Sequence, residues 1–529
     1  MYKILLSYCF SIISFCAIAQ DNLPTDFLSK EFHSGRREAF RQKMPDNSVA
    51  VIFSFPERTF SNDVTYSYHP NPDMYYLSGY KEPDALLIIF KNKQKQGYDE
   101  LFFARKRDAL MEQWTGRRLG ADGVKKELGF EHVFTSDQFK TFDIDLSKFS
   151  QIIYDYLPDD IGPGTLQSLI NSFCEKAKIS RRENKNVVQT YNTLLNSTSA
   201  ANLQGRINRI KSSMSNTADE DFRNDPLLNE LIDNPTAQSL VAIQDKIRKN
   251  GSAALEYNKI IGSLREIKTP EELVLIRKSI TLSAIAHKEV MKAITPAMSE
   301  SELTGIFHYV HKRYGAMEEG YPPIVGAGSN GCILHYIENN ATKVENKLVL
   351  MDVGSEYHGY SADITRTIPA TGKFTPEQKA IYNLVYKAQE EVFKIVKEGT
   401  PFRDLNVKTT EVLAQGLLEL GIIKDKKDVS RYYIHGVSHH LGLDVHDKFV
   451  DPILKANMLI TVEPGIYIPK GSPCDPKWWD LAVRIEDDLL VGINGYENLS
   501  IAAPRKLEEV EATLAQKSVL NNLALPKLQ

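Results

Sequence analysis

Two aspartates lie on either side of a short turn between apolar runs. Asp352 ends the run Leu348–Met351, and Asp363 stands in the next β-type run, beyond a Gly-containing turn. This pattern is typical of a β-hairpin with its centre near Tyr357 and His358. Equal spacing from that centre predicts that the two acids sit opposite each other, with Cβ atoms about 5 Å apart. Taken alone, the pattern also fits two exposed turn acids, but carboxylates this close repel unless a proton or cation neutralises them.

Three more residues with metal-binding side chains follow in or beside apolar runs, namely His439, Glu463 and Glu486. Acids that point into a core are rare unless they are paired or bound to a metal. The four carboxylates carry a charge of −4, which two divalent cations would balance, and a neutral His439 adds none. The set therefore predicts a dinuclear centre of Mn, Zn, Co or Fe, because it offers oxygen and nitrogen donors without a thiolate. Two such ions can activate a water and polarise a carbonyl, which is equipment for amide hydrolysis.

Other polar residues flank this set. His335, His435 and His446 lie in neighbouring loops and are candidates for binding substrate or stabilising a tetrahedral oxyanion. Arg484 lies two positions before Glu486 on one strand face, where it can neutralise excess acid or hold substrate. His440 directly follows His439 and cannot point the same way on a regular element, so we exclude it from the ligands. A structural role is assigned to the histidines on predicted helices, namely His287, His308 and His311.

The elements that position these residues occur twice. Thr269–Glu272 and Thr375–Gln378 are capping boxes with Pro at the first helical position. Each opens a pair of predicted helices, over 270–294 and 300–314, then over 376–397 and 404–420. A His-bearing loop and acid-bearing strands follow each pair. This order predicts a duplicated unit whose two halves meet at the metal site.

The N-terminal part has another pattern. Residues 28–180 mix strands and helices, which predicts an α/β domain with its own core. We predict helices over 31–44 and 166–177, and strands over 49–55, 75–80, 85–90, 101–104 and 152–156. Residues 113–120 read as a polar loop with an exposed Trp114. The polar segment 183–256 is interpreted as an insertion and inter-domain connection, partly flexible, with short helices over 227–232 and 237–247.

The first twenty residues predict export. Lys3 precedes the apolar stretch Ile4–Phe15, and an Ala-x-Ala cleavage pattern at 17–19 follows, as in a secretory signal peptide. An uncleaved membrane anchor, or a lipoprotein attached at Cys16, are the alternatives. No later run approaches the ~20 apolar residues of a membrane span, so we predict no stable membrane insertion.

Composition narrows the class further. A formal net charge of −4 and a pI near 6.3 give no basic footprint for nucleic acid. After signal cleavage Cys174, Cys332 and Cys474 remain, too widely spaced for a disulfide framework. We predict three free thiols, with a single pair after export as the alternative.

These stretches together resemble the aminopeptidase P family, the Xaa-Pro aminopeptidases among the M24 metallopeptidases with the pita-bread fold. The resemblance rests on residues 330–336, 352–367, 435–447, 462–465 and 484–488, and in the N-terminal part on 76–79 and 114–120. The insertion near 183–256 and a shortened loop over 448–457 depart from the family pattern. The implied order is a signal peptide (1–20), an α/β aminopeptidase P-type domain (21–182), an insertion and linker (183–262), an α+β pita-bread catalytic domain of two pseudo-symmetric halves (263–510) and a tail (511–529).

The resemblance also implies how the metals are held. Asp363 and Glu486 bridge two ions, Asp352 binds one of them, and His439 and Glu463 bind the other. The usual metal is Mn²⁺, with Zn²⁺ or Co²⁺ as alternatives.

The remaining residues receive roles in the reaction through the same resemblance. A hydroxide that bridges the metals attacks the carbonyl of the residue before proline, and Glu463 shuttles the proton. His335 and His446 assist the carbonyl and the oxyanion, while His435 and Arg484 lie near the proline side of the bond.

The expected activity is removal of the N-terminal residue from peptides with proline in second position. Alternatives are a prolidase, which cuts Xaa-Pro dipeptides, and a non-catalytic M24 homologue that binds peptides. Ser438 and the stretch around Trp114 favour the aminopeptidase over the prolidase. Methionine aminopeptidases share the scaffold but usually lack a large N-terminal domain. We further expect a homo-oligomer, a dimer or a tetramer.

Overall fold

A computed structural model describes residues 25–94, 97–157, 161–179, 183–195 and 203–520. The predicted signal peptide and residues 521–529 of the predicted tail lie outside these ranges. In the described part of the chain, no helix is both long and apolar enough to span a bilayer. Cys174, Cys332 and Cys474 are free thiols, as predicted.

The N-terminal domain is built on a five-stranded mixed sheet. Its strands, in spatial order, are Val133–Thr135, Glu100–Ala104, Leu86–Phe90, Ser48–Phe53 and Gln151–Tyr154. Helices pack around it, namely Lys30–Lys43, Pro72–Ser78, Gly120–Leu128 and Thr165–Ala177, and a further helix, Ala109–Thr115, is exposed. An exposed hairpin of Thr59–Ser61 and Val64–Thr65 projects from this domain. The α/β prediction is therefore confirmed. The predicted polar loop over 113–120 is only partly correct, because residues 113–115 end one helix and Gly120 begins another, although Trp114 is exposed as predicted. Among the predicted strands there is one exception.

The exception is the predicted strand over 75–80, which is wrong. Residues Pro72–Ser78 form a helix in which every residue is buried. The side chain of Asn71 caps its first turn, Pro72 fixes the first helical position, and Gly79 ends the helix with a φ of +75°. The aromatic run resembles a strand because burial on all sides hides the helical period.

The segment between the two main domains is more helical than its composition indicates. It contains the helices Lys185–Leu195, Leu203–Ser215, Glu220–Arg223, Pro226–Asp233 and Ala237–Asn250. The two short helices predicted there are confirmed. Sparse apolar residues on these helices pack into a small core of their own, which includes Ile207, Phe222, Leu228, Leu231 and Ile243. The following helix, Ala253–Arg265, crosses the predicted domain boundary at 262.

The catalytic domain repeats one order of elements. Its first half has helices Pro270–Ala293 and Glu300–Arg313, then strands Glu318–Glu319, Ile324–Ala327, Leu348–Asp352, Ser355–Tyr357, Tyr360–Ser361 and Thr365–Pro369. Its second half has helices Pro376–Phe393 and Phe402–Glu419, then strands Leu459–Val462, Gly465–Ile468, Leu481–Arg484, Asp487–Val491 and Tyr496–Asn498. Both predicted capping boxes are present. A last helix, Leu507–Leu514, crosses the boundary predicted at 510.

The two halves join along a seam of backbone and hydroxyl contacts. The amide of Glu486 donates to the carbonyl oxygen of Thr365 at 3.0 Å. Thr367 Oγ1 donates to the carbonyl oxygen of Arg484 at 3.0 Å and accepts from the amide of Arg484 at 3.1 Å. Apolar residues of both halves share one core, which includes Val349 of the first half and Val483 of the second. The seam therefore brings the hairpin of the first half against the acid-bearing strands of the second.

Candidate metal centre

The hairpin of the first half differs from its prediction by two residues of register. Asp352 is paired with Thr365, and Tyr357 with Tyr360, so the turn falls on His358 and Gly359. Asp363 thus belongs to an irregular segment, and the prediction that it sits directly opposite Asp352 is wrong. His358 and Gly359 both have positive φ, at +51° and +88°, and such a turn suits the twist of the flanking strands.

The two aspartates converge in spite of that register. The hydroxyl of Tyr321 lies 2.5 Å from Oδ1 of Asp352 and 2.7 Å from Oδ1 of Asp363. The irregular segment can bring Asp363 inward because the chain closes tightly at Gly354, where an added Cβ would lie 1.8 Å from the carbonyl oxygen of Ala362. Both carboxylates are buried and face the seam.

His439 is the link from the second half. Its Nε2 lies 3.3 Å from Oδ2 of Asp363 and 3.6 Å from Oε1 of Glu463. Its Nδ1 lies 3.0 Å from the carbonyl oxygen of His440, which accepts the Nδ1 proton. That assignment leaves the Nε2 lone pair free and directed at the carboxylates, as in a metal-ligating histidine. Ligand atoms of Asp363, His439 and Glu486 all lie within 4.8 Å of one another.

The two glutamates follow strands of the second half. Glu463 comes directly after Leu459–Val462, and its Oε2 lies 3.6 Å from Nδ1 of His435. Glu486 is almost completely buried, and its Oε2 accepts a hydrogen bond from Thr365 Oγ1 at 2.6 Å. Glu486 is thus held by one hydrogen bond, whereas Glu463 lies between His435 and His439.

The clustered carboxylates are costly to ionise together unless a cation neutralises them. Burial raises the pKa of Asp363 well above its usual value, and the charge of Asp352 raises it further. Burial also raises the pKa of Glu463 and Glu486, with Glu486 repelling the former and Asp363 the latter. Among the described residues that contact the four acids, Arg484 is the one side chain with a permanent positive charge, since the other basic contacts are histidines. Buried hard oxygen donors plus one imidazole nitrogen fit divalent metal binding.

Arg484 is tied to the site by three side-chain contacts. Its Nη2 donates to Oδ2 of Asp352 at 2.5 Å, and its Nη1 donates to the Tyr467 hydroxyl at 2.9 Å. Its Nε donates to Thr365 Oγ1 at 3.0 Å. The ion pair with Asp352 fits the role of neutralising excess acid, and the other two contacts hold the guanidinium in place.

The three flanking histidines surround the centre in different ways. His435 Nε2 lies 2.8 Å from the Tyr467 hydroxyl, and burial, followed by the charge of Arg484, lowers the pKa of His435 to about 4. The His446 ring stands edge-on to the His439 ring at 4.2 Å, and burial, followed by His439, lowers the pKa of His446 to about 4. His335 is exposed in a turn close enough to affect both of these rings electrostatically. His435 and His446 are therefore neutral near pH 7.

The remaining histidines point elsewhere. His440 faces away from the centre and stacks on Phe449, with ring centroids 4.3 Å apart. His287 is buried and its Nε2 lies 3.1 Å from the carbonyl oxygen of Val353. His308 and His311 both lie near Glu319 on the outer side of the first half.

Three residues that contact either the ligands or the side chains beside them were not predicted: Thr365 and Tyr321 contact ligands, and Tyr467 contacts His435 and Arg484. Thr365 follows Asp363 by two positions and Tyr467 follows Glu463 by four, so strand alternation offered a signal for both. Tyr321 contacts Asp352 across 31 residues of sequence and stands before two prolines, which gives it no local signal.

Comparison with known proteins agrees with this fold and site. The profile of metallopeptidase family M24 matches residues 274–492, and that of the aminopeptidase P N-terminal domain matches residues 33–153. Xaa-Pro aminopeptidase of Escherichia coli K12 is 30% identical, over 92% of this chain and 98% of its own length. The mitochondrial intermediate cleaving peptidase 55 of Arabidopsis thaliana is 28% identical, over 92% of this chain and 83% of its own.

A comparison with solved structures agrees with the family matches. Aminopeptidase P from E. coli with the inhibitor Pro-Leu superposes with a TM-score of 0.72 at 30% identity, covering 92% of this chain and 98% of that one. The fold and the buried acid cluster define a metallopeptidase with a pita-bread catalytic domain, as the sequence predicted. The chain belongs to metallopeptidase family M24, and it carries the N-terminal domain of the aminopeptidase P type.

Proposed function

We propose that this protein is an Xaa-Pro aminopeptidase that removes the first residue of peptides with proline in second position. The observation that carries the proposal is the convergence of ligands from both halves on one buried centre, namely Asp352, Asp363, His439, Glu463 and Glu486. Relatives named for this activity match over nearly their whole length, which supports the same substrate class. The charge of four carboxylates supports two divalent ions, and we propose Mn²⁺ as the resident metal.

When bound, the two ions supply a water of lowered pKa and polarise the scissile carbonyl. We assign the proton transfer to Glu463, which would take a proton from the attacking water on a carboxylate oxygen and return it to the departing prolyl nitrogen.

The neutral histidines complete the site. We assign His446 and His335 to donate hydrogen bonds to the oxygen that gains negative charge during attack. His435 and Arg484, linked through the Tyr467 hydroxyl, are assigned to the proline side of the bond. A neutral His435 avoids charge repulsion with the neighbouring Arg484.

The test uses Xaa-Pro-Yaa tripeptides and Xaa-Pro dipeptides with protein stripped of metal and reloaded with Mn²⁺, Zn²⁺ or Co²⁺. Release of the first residue from tripeptides, restored best by Mn²⁺, is expected. Cleavage of dipeptides alone would identify a prolidase. Failure to cleave either substrate with any metal would leave a peptide-binding protein and refute the proposal.

We also propose export after cleavage of the signal peptide predicted over residues 1–20, on the basis of the charged start, apolar stretch and Ala-x-Ala pattern described above. N-terminal sequencing of the protein from its native host should begin at Gln20 or Asp21. A protein that retains Met1 would contradict this proposal.

A homo-oligomer is the third element of the proposal. The helix Ala109–Thr115 buries none of its residues, and Trp114 is 85% exposed. In the same domain Phe60 of the exposed hairpin and Tyr66, which directly follows it, are exposed as well. Apolar groups of this size favour a protein interface over open solvent. Light scattering after size-exclusion chromatography should give a dimer or tetramer, and Trp114→Ser should weaken it, whereas a wild-type monomer would be contrary evidence.

A further inference from the structure

A cluster of buried charges connects the N-terminal domain to the loop that follows His439. We define the interdomain ion cluster as Asp73, Arg265, Lys268, Asp447 and Lys448. Nη1 of Arg265 lies 2.6 Å from Oδ1 of Asp73, and Nζ of Lys448 lies 2.7 Å from Oδ2 of Asp73. Nζ of Lys268 lies 2.6 Å from Oδ2 of Asp447, whose other oxygen pairs with Arg265. Four of these side chains are at most 4% exposed, and Lys448 is the exception at 26%.

The cluster joins three separate parts of the chain. Asp73 lies in the first turn of helix Pro72–Ser78 of the N-terminal domain, and Arg265 ends the helix Ala253–Arg265. Asp447 and Lys448 belong to the catalytic domain. The Tyr257 hydroxyl donates to Oδ2 of Asp73 at 3.0 Å and fixes that carboxylate from a further side.

The cluster contacts acidic side chains on both sides of His446 in the loop. Asp447, the next residue, is held by Arg265 and Lys268. Asp444, two residues earlier, accepts from Nη2 of Arg265 at 2.7 Å. The Arg265 guanidinium therefore fixes the loop both before and after His446, whose ring is edge-on to that of His439.

The loop also folds around the Asp447 carboxylate itself. A Cβ added to Gly442 would lie 2.1 Å from Oδ2 of Asp447 and 2.7 Å from Nζ of Lys268. The amide of Asp447 donates to the carbonyl oxygen of His440 at 2.8 Å. With glycine required at 442 and the carboxylate fixed, displacement of Asp447 would displace the whole turn that carries His446.

Stability alone is a weak reason for such a cluster. Buried ion pairs roughly break even against well-packed apolar side chains, because desolvation offsets the attraction. Charge-assisted hydrogen bonds are directional, however, and the Arg265 guanidinium contacts three carboxylates at once, those of Asp73, Asp444 and Asp447. The value of the cluster therefore lies in orientation.

We propose that the interdomain ion cluster positions the active site. Asp73 of the N-terminal domain, through Arg265 and Lys448, sets the loop that places the His446 imidazole against the reacting carbonyl. This inference rests on the proposed function, since it concerns the role of His446 in peptide cleavage. Asp73 is a positioning residue and touches no substrate.

The test compares Mn²⁺-loaded Asp73→Asn, His446→Ala and the double variant on an Xaa-Pro-Yaa tripeptide. Misplacement of a catalytic group by an ångström costs about 10²-fold in rate, so we expect kcat of Asp73→Asn to fall by about that factor. KM should stay within about threefold and metal content should not change, because the ligands are untouched. Since Asp73 acts through His446, the double variant should be no slower than His446→Ala.

Controls separate position from general damage. Glu100→Gln is the matched control, because Glu100 is a largely buried acid that pairs with Arg37 inside the N-terminal domain, away from the loop. This variant should keep the wild-type kcat. If Asp73→Asn does not fold, Lys448→Met and Lys448→Arg take its place, and only the arginine should retain activity.

Two results would overturn the inference: a folded Asp73→Asn with kcat within about threefold of wild type, or effects of Asp73 and His446 that multiply in the double variant. Wild-type protein that cleaves no tripeptide would instead count against the proposed function.

Discussion

Nε2 of His439 lies 3.3 Å from Oδ2 of Asp363, although the two residues belong to different halves of the catalytic domain. The contact crosses the seam, where Glu486 and Thr365 also pair through their backbones. A cation between these side chains would bind both halves at once. Metal binding, catalysis and the stability of the seam are therefore expected to change together when a ligand is removed.

Asp363→Ala should abolish turnover and lower the bound metal while the protein stays folded. The variant removes a metal ligand of the first half that contacts His439 of the second half. It also relieves the repulsion between Asp363 and Asp352, so the fold should persist. Activity, metal analysis and circular dichroism provide the measurement. Glu419→Ala, an exposed acid on the helix Phe402–Glu419, is the matched control and should behave as wild type. Near-wild-type rates in Asp363→Ala would exclude its role as a ligand.

Metal-free protein should become less stable as the pH rises. Burial raises the pKa of Asp363, Glu463 and Glu486 above ordinary values of 3.8, 4.5 and 4.5, so the unfolded chain releases these protons first. The stabilising contribution of these three groups is then complete below about pH 4, and it declines as the pH rises toward their folded-state pKa values.

Thermal unfolding of chelator-treated protein between pH 5 and pH 8, with and without Mn²⁺, measures this effect. The rise in Tm on adding metal should be larger at pH 8 than at pH 5. Asp363→Asn should flatten the decline in metal-free protein, because one of the raised groups is gone. A Tm of metal-free protein that increases steadily over this range would contradict the expected electrostatics.

Tyr321→Phe should weaken metal binding. The hydroxyl holds Oδ1 of both Asp352 and Asp363, and residues that orient metal ligands typically contribute 10–100-fold to affinity or activity. Competition with a chelating dye gives the metal affinity directly. Tyr360→Phe is the control, since its buried hydroxyl donates to Glu272 at 3.1 Å, away from the centre. Equal metal affinity in the two variants would show that the Tyr321 hydroxyl does not orient the aspartates.

His440→Phe should stabilise the protein. Both ring nitrogens of His440 are buried without a hydrogen-bond partner among the described residues, and the ring already stacks on Phe449. Removing two unsatisfied polar atoms should raise the free energy of unfolding by about 1 kcal/mol. Denaturant unfolding measures this change, and turnover should persist because His439 contacts only the backbone oxygen of residue 440.

The contrast is His287→Phe, which should destabilise, because His287 bonds the carbonyl oxygen of Val353. Destabilisation by both substitutions would mean that the His440 ring has polar partners after all.

Local chemistry made much of the fold predictable. Capping residues such as Thr269 and Thr375 satisfy helix amides within a few positions, so they reveal helix starts directly. Acids inside apolar runs reveal a charged centre for the same reason, since only neutralisation explains them.

The predictions that were wrong or missing concern contacts between residues far apart in sequence, or local structure that depends on its surroundings. The register of the hairpin was misjudged because His358 and Gly359 adopt a turn that the composition did not locate. The helix Pro72–Ser78 was missed because burial on every side removes its period. Tyr321 and the pairing of Asp73 with Arg265 join residues far apart in sequence, and such contacts leave no trace in spacing.

The division of the metal ligands between the two halves has a consequence for how this domain evolved. The first half holds two of the five candidate ligands and the second holds three, so one copy of the repeated unit lacks the donors for the whole centre. Before the gene doubled, a single unit would have had to associate with another molecule of itself to gather enough of them. The fused chain makes that encounter permanent, and each copy was then free to specialise in its own share of the chemistry.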